Sequence, residues 1–331
     1  MKNILLVVSM CFFTINSLFA QVSNKHLRAD FHAPIGVMRD HVHKKGQFMT
    51  SYRASYMEMK GLSNNQGSIS SAQALNSRLV APIEMQMGMD MLSAMYGVTD
   101  NLTIAAMGSF VVKKMNHQRR NGTFFERESE SVGDLKVNAS YKLGNYSNDN
   151  LLINLGFSIP TGSIDERDPS GNRLPYPMQI GSGSYEVLPG LSYTKLNNSY
   201  SYGWQLNASI KLDTNDNGYK LGDSYNVTAW IAKPIFDNLS VSSRLDFNKI
   251  EAIEGRDSTL DSVVAAIVTA DPSLSDREFV DLYLGVNYVV PESLISNMRL
   301  ALEGGPTIYE KFQDNQLERD FKLFFGIQKT F

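Results

Sequence analysis

The chain has 331 residues, 43% apolar, 20% charged and 10% aromatic, with a formal net charge of -3 from 31 basic and 34 acidic residues. That balance excludes a disordered chain and speaks against a nucleic-acid partner. Beyond the N-terminus no apolar run reaches the ~20 residues of a membrane-crossing helix, and a single cysteine makes neither a disulfide framework nor a cysteine-rich zinc site. A transmembrane β-barrel passes the same filter, because its polar lining dilutes its apolar band.

Residues 1–20 carry the marks of a cleaved secretory signal peptide: Lys2, an apolar stretch from Ile4 to Phe13, and Leu18-Phe19-Ala20 before Gln21. Cys11 would leave with it. Residues 21–46 are too polar for a strand and contain Pro34, Gly36 and Gly46. They are expected either to hang in the periplasm as an arm or to fold into a barrel as a plug.

From residue 47 onward the dominant pattern is two-residue alternation, the period of a strand with two unlike faces. In 134–143, Leu135, Val137, Ala139, Tyr141 and Leu143 share one face, while Lys136, Asn138, Ser140 and Lys142 share the other. Twelve such segments fall near 47–59, 85–97, 102–113, 131–143, 150–160, 184–194, 201–212, 225–235, 238–249, 279–289, 297–308 and 320–331. Short links alternate with long ones, the long ones at 60–84, 114–130, 161–183, 213–224, 250–278 and 309–319. An even number of long strands with short turns at one end predicts an all-β fold, an antiparallel up-and-down transmembrane barrel of about 12 strands spanning 47–331. A soluble sandwich or lipocalin-like barrel also alternates, but strands of ten or more residues are long for soluble sheets. The expected setting is the outer membrane of a Gram-negative bacterium, with lipid around the wall and the N-terminus in the periplasm. Phe321, Leu323, Phe325, Ile327 and the terminal Phe331 fall on one face, and an aromatic end suits recognition by the barrel-assembly machinery.

The polar faces place Arg53, Asp90, Lys113, Asp134, Lys136, Glu186, Lys211, Arg244, Asp246, Asp281, Arg299 and Glu303 in the lumen. Their mixed signs predict no strong preference for one ion sign. All five histidines and eleven of the fifteen methionines lie between residues 26 and 117. Imidazole and thioether donors suit copper-type soft ions, and His32, Met38, His41 and His43 form the most ligand-like local set. A structural role for the methionines competes with that reading. Met85, Met87, Met89 and Met91 lie opposite Glu84, Gln86 and Asp90 and are expected to meet lipid, whereas Met49, Met57 and Met59 are expected to line the lumen. The acids of 161–183 lack EF-hand spacing, and a short helix is expected within 257–268. No nucleophile, phosphate-loop or HExxH motif is present, so no enzyme and no resident cofactor are expected.

The segments His32-Ala33-Pro34-Ile35-Gly36-Val37-Met38, Asp40-His41-Val42-His43-Lys44-Lys45-Gly46 and Pro160-Thr161-Gly162-Ser163 carry a family resemblance. So do the methionine-rich run 85–95, Leu174-Pro175-Tyr176-Pro177-Met178-Gln179 and Gly181-Ser182-Gly183. Together they resemble bacterial outer-membrane proteins of the family named for the meta-pathway of phenol degradation. The resemblance implies a β-barrel and a role in passing small solutes, aromatic or hydrophobic ones included. Two functions follow as expectations: a channel or transporter working by diffusion through a polar lumen, or a barrel that handles a soft metal with its His/Met-rich N-terminal third.

Overall fold

The computed structural model describes residues 28–64, 67–144 and 149–331. The signal peptide expected at 1–20, and His26, lie outside the described residues. The wall consists of β1 (Phe48–Asn64), β2 (Val80–Thr99), β3 (Leu102–Arg119), β4 in two segments (Phe124–Val132 and Leu135–Leu143), β5 (Asp149–Ile159) and β6 (Glu186–Leu196). It continues through β7 (Ser201–Lys211), β8 (Ser224–Phe236), β9 (Leu239–Ile250), β10 (Arg277–Val289), β11 (Met298–Phe312) and β12 (Gln316–Thr330). Each strand pairs antiparallel with its sequence neighbour, and β12 returns to β1 from Met49↔Thr330 to Ser63↔Gln316. The result is a closed, twelve-stranded barrel. Closure leaves no free strand edge in the wall, the condition for a sheet to cross a membrane. Both segments of β4 pair with β3, and the break between them falls at Gly133-Asp134.

The outer face carries an exposed apolar belt, with Leu92, Ile104, Val137, Leu155, Leu206, Ile231, Leu245, Leu284, Leu302 and Phe325 among its members. In water such a surface would be costly; against hydrocarbon it is the stable arrangement. Inward positions are polar and buried, as with Asn154, Ser192, Gln205, Thr228, Arg244 and Glu303.

The first strands are longer than alternation suggests. β1, β2 and β3 contain 17, 20 and 18 residues, against the ~9–11 that cross a bilayer. The long link expected at 114–130 is mostly a β3–β4 hairpin. Its outward positions Glu126, Glu128 and Glu130 are exposed and charged, so the apolar alternation that marks a membrane-crossing strand is absent there. An unexpected helix, α1 (Ser71–Ser77), follows β1 and is held by a Ser70/Gln73 capping box. The helix expected in 257–268 is reduced to 3-10 turns, beginning with Ser258–Leu260.

Two orientation expectations are overturned by strand register. Met85, Met87, Met89 and Met91 oppose Met59, Met57, Ser55 and Arg53 respectively, and paired residues share a face. These methionines therefore look into the barrel. Met85 joins Met57, Met59, Met115, Leu75, Leu174 and Met178 in the main buried cluster. Asp90 lies on the opposite face, level with Ala54, and is exposed outside, where it accepts the Tyr52 hydroxyl at 2.5 Å. Alternation separates two faces without saying which is inner. At the long-loop end the usual polarity reverses, because α1 and the 160–185 loop fold inward and make that part of the lumen apolar.

Candidate functional site: the lumen and its N-terminal arm

Residues 28–47 run through the barrel beside its short turns. Arg28 Nη1 donates to the Asn197 carbonyl at 2.6 Å, and Ala29 N–H donates to the Asp237 carbonyl at 3.2 Å. At the other end His43 N–H donates to Thr103 Oγ1 at 2.7 Å, and Gly46 N–H to the Gly97 carbonyl at 2.8 Å. Between these anchors the arm enters the lumen. Ala33 and Val37 pack on Trp230, and Gly36 N–H donates to Glu303 Oε2 at 2.7 Å. A Cβ on Gly36 would overlap the Arg244 guanidinium and the Glu303 carboxylate, so either this pair or the arm would have to shift. Pro34 and Gly36, which argue against a strand, allow the turn that reaches this pair.

Arg39 is the arm's deepest anchor. Its guanidinium donates to Asn207 Oδ1 at 2.6 Å, to the Leu188 carbonyl at 3.1 Å and to Asn138 Oδ1 at 3.2 Å. Its own carbonyl accepts from Ser192 Oγ at 3.1 Å. Burial lowers its pKa to about 10, so it remains a cation at neutral pH. A φ of 63° places Arg39 in the left-handed region, disfavoured for a long side chain and held here by bonds to several strands. Nothing in the sequence singles out Arg39, because an arginine inside a Pro/Gly-containing arm carries no distinguishing local signal.

Above the arm lies a cavity of about 340 Å³. Arg39, Arg53, Lys136, Arg244 and Lys322 line it, with Asp246 the one carboxylate on its lining among the described residues. Apolar surface comes from Met89, Met91, Met107, Leu188 and Phe324. Arg244 is itself neutralised, 2.7 Å from Glu303 and 2.9 Å from Asp246. Arg53, Lys136 and Lys322 form no ion pair within 4 Å among the described residues, and the Lys322 ammonium sits 4.8 Å from the Phe324 ring centroid. The mixed signs expected of the lumen are thus sorted in space, leaving the cavity cationic.

The long-loop end narrows through the 160–185 segment. Lys113 Nζ donates to the carbonyls of Gln179 at 2.6 Å and Pro177 at 2.9 Å. Asp134 accepts from Gly162 N–H at 2.9 Å and Ser182 Oγ at 2.8 Å, tying both ends of the segment to the β4 break. A second cavity, of about 290 Å³, lies beneath the 251–276 loop and shares Ser224 with the first. Leu221, Ile250, Ile253, Val268 and Leu274 make it largely apolar, with Lys211, Glu251 and Asp271 as the charged residues of its wall.

The remaining sequence-derived lumen residues also face inward. Glu186 accepts from Ser209 Oγ at 2.6 Å, Asp281 pairs with Arg319 at 3.0 Å, and Arg299 Nη1 donates to the Ala29 carbonyl at 3.4 Å. Of the ligand-like set, His32 and His41 come together, their Nδ1 atoms 3.2 Å apart, with Asp40 Oδ1 2.7 Å from His41 Nδ1. Asp40 was not among the expected ligands, although it directly precedes His41. Met38 instead lines the central cavity, and His43 stacks edge-on to His41 at 4.8 Å without joining the ligand-atom group. Burial, reinforced by Arg299, pushes the His32 pKa well below its ordinary value, and burial lowers that of His43 to about 4. For Asp40 burial opposes the charged form. The neighbouring His41, its hydrogen bond, His32 and the Ala33 N–H outweigh that and hold the carboxyl below the usual range. Nε2 of His41 and of His43 are both buried without a hydrogen-bond partner, each an arrangement that costs about 1–3 kcal/mol.

Residues 78–289 match the family model described as putative MetA-pathway of phenol degradation, more than half of the chain. The chain belongs to that family. No curated protein matches its sequence. Among solved structures, the COG4313 outer membrane channel from Pseudomonas putida F1 is similar, with a TM-score of 0.63 and 16% identity over 88% of this chain and 98% of that one. The translocator domain of the autotransporter NalP from Neisseria meningitidis has a TM-score of 0.47 and 8% identity, covering 87% and 90%. The P. putida toluene transporter TodX has a TM-score of 0.45 and 10% identity, covering 87% and 91%. The first of these likenesses shows a shared barrel fold.

Proposed function

We propose that this family member is an outer-membrane channel for small organic anions with an apolar body, aromatic carboxylates among them. The solute enters from outside through the apolar vestibule beneath the 251–276 loop, passes Ser224 into the cationic cavity, and leaves past the arm into the periplasm. Transport is diffusion, with no covalent step. The observation that carries this reading is the cavity itself: Arg53, Lys136 and Lys322, without an ion pair within 4 Å among the described residues, stand beside Met89, Met91 and Phe324. Cations confined between low-dielectric walls concentrate anions, and the apolar lining suits the rest of the solute. The printed name of the P. putida channel supports the channel part of the reading.

Flux into proteoliposomes provides the test. Benzoate is expected to enter several-fold faster than benzylamine, and Lys136→Glu together with Lys322→Glu to remove that preference. Equal rates for the two probes in the unmodified protein would refute the anion reading. A barrel passing neither probe, nor any small solute, would refute the channel reading.

A further inference from the structure

The geometry points to a divalent transition ion, of the zinc or copper(II) class, bound by His32, Asp40 and His41 and pinning the arm inside the barrel. Two imidazole nitrogens and a carboxylate converge here, all ligand atoms within 4.8 Å of one another. A tetrahedral ion about 2.0–2.1 Å from each nitrogen needs the two about 3.3 Å apart. His32 Nδ1 and His41 Nδ1 stand 3.2 Å apart. Little movement is therefore asked of the rings, while the Asp40 carboxylate, now hydrogen-bonded to His41 Nδ1 at 2.7 Å, must draw back by about 0.6 Å to share the ion. The second carboxylate oxygen of Asp40 accepts the Ala33 N–H at 2.8 Å, an outer hydrogen bond of the kind that orients a metal-binding carboxylate.

The donor set also selects the ion. A carboxylate beside two imidazoles suits borderline divalent ions better than Cu(I), which would favour thioethers such as Met38. Three protein ligands leave a position for solvent, as in open zinc sites. Arg299 lies close enough to act on His32 electrostatically, so Asp40 is needed to offset local positive charge. The ligands stand at the two ends of the turn 33–39, which carries Gly36 and Arg39 into the lumen. An ion shared by His32, Asp40 and His41 closes that turn on itself and holds the arm in place.

Binding can be measured on the refolded full chain, stripped with chelator and titrated with Zn2+ by calorimetry, with far-UV circular dichroism confirming the barrel in every variant. One ion per chain is expected. His32→Ala and His41→Ala should each weaken binding by more than about tenfold, and His117→Ala, on the wall, should leave it unchanged. Bound Co2+ should give the intense visible bands of a four-coordinate site. No uptake, or uptake equal in all these proteins, overturns the site. The pinning rests on the channel reading and has a separate readout: saturating Zn2+ should lower single-channel conductance in the unmodified protein and not in His41→Ala. Binding without a change in conductance overturns the pinning and leaves the site standing.

Discussion

Arg244 and Glu303 are nearly inaccessible to solvent and are joined by two hydrogen bonds, at 2.7 and 3.2 Å, while Glu303 also receives the Gly36 N–H. Removing one partner of such a pair strands a buried charge, which costs about 3–5 kcal/mol, whereas replacing both with apolar residues is often close to neutral. Glu303→Gln leaves Arg244 with Asp246 alone, 2.9 Å away, and is expected to lower unfolding stability by less than that amount, while the triple variant Arg244→Met/Asp246→Asn/Glu303→Leu is expected to recover most of the loss, read from urea unfolding in lipid. A triple variant no more stable than Glu303→Gln would show that the charged cluster itself carries the stability. Gly36→Ala tests the arm's seat. Its Cβ would collide with this pair, so the arm is expected to be displaced and single-channel conductance to rise, with the barrel intact by circular dichroism. Unchanged conductance would mean that the arm does not restrict the path. The identities of Arg244 and Glu303 as lumen residues were legible from alternation alone. Their pairing was not, because they lie 59 positions apart and meet across an intervening strand.

Among the elements, period-two alternation reported the strands well where one face met lipid, and poorly where none did. β6 to β10 were placed within about two residues because Leu206, Val227, Leu245 and Leu284 mark an apolar side. The upper β3–β4 hairpin is not legible in the sequence because Glu126, Glu128 and Glu130 point outward into water. The methionine face of β2 reads as a lipid face for a related reason: which face is inner depends on α1 and the 160–185 segment folding over it, and no pattern within β2 contains that. The 160–185 segment is also an element with a defined lock. Asp134 accepts bonds from both of its ends, so Asp134→Ala is expected to increase protease cleavage within 161–183 and to raise conductance. Cleavage no faster than in the unmodified protein would contradict that role. The arm was legible as a distinct segment from its Pro, Gly and His content. Its route was not, since it is fixed by partners on several strands, among them Asn138, Leu188, Asn207 and Glu303.

At the scale of the whole molecule, a formal charge of -3 conceals a sorted interior. Acids and bases are similar in number along the chain, yet Asp246 and Glu303 are engaged by Arg244, and Asp281 by Arg319, so among the described residues Arg53, Lys136 and Lys322 keep no ion pair within 4 Å and the cavity stays cationic. A sum over sequence cannot show which charges neutralise each other; only neighbours in space do. The cavity's charge governs which ions occupy the lumen, and through it the function proposed. The most direct measurement is the zero-current potential of the protein in a planar bilayer separating unequal KCl concentrations. A potential of the sign set by chloride permeation is expected, reduced or reversed in the Lys136→Glu/Lys322→Glu variant. A potential of the potassium sign in the unmodified protein would contradict a cationic pathway for organic anions.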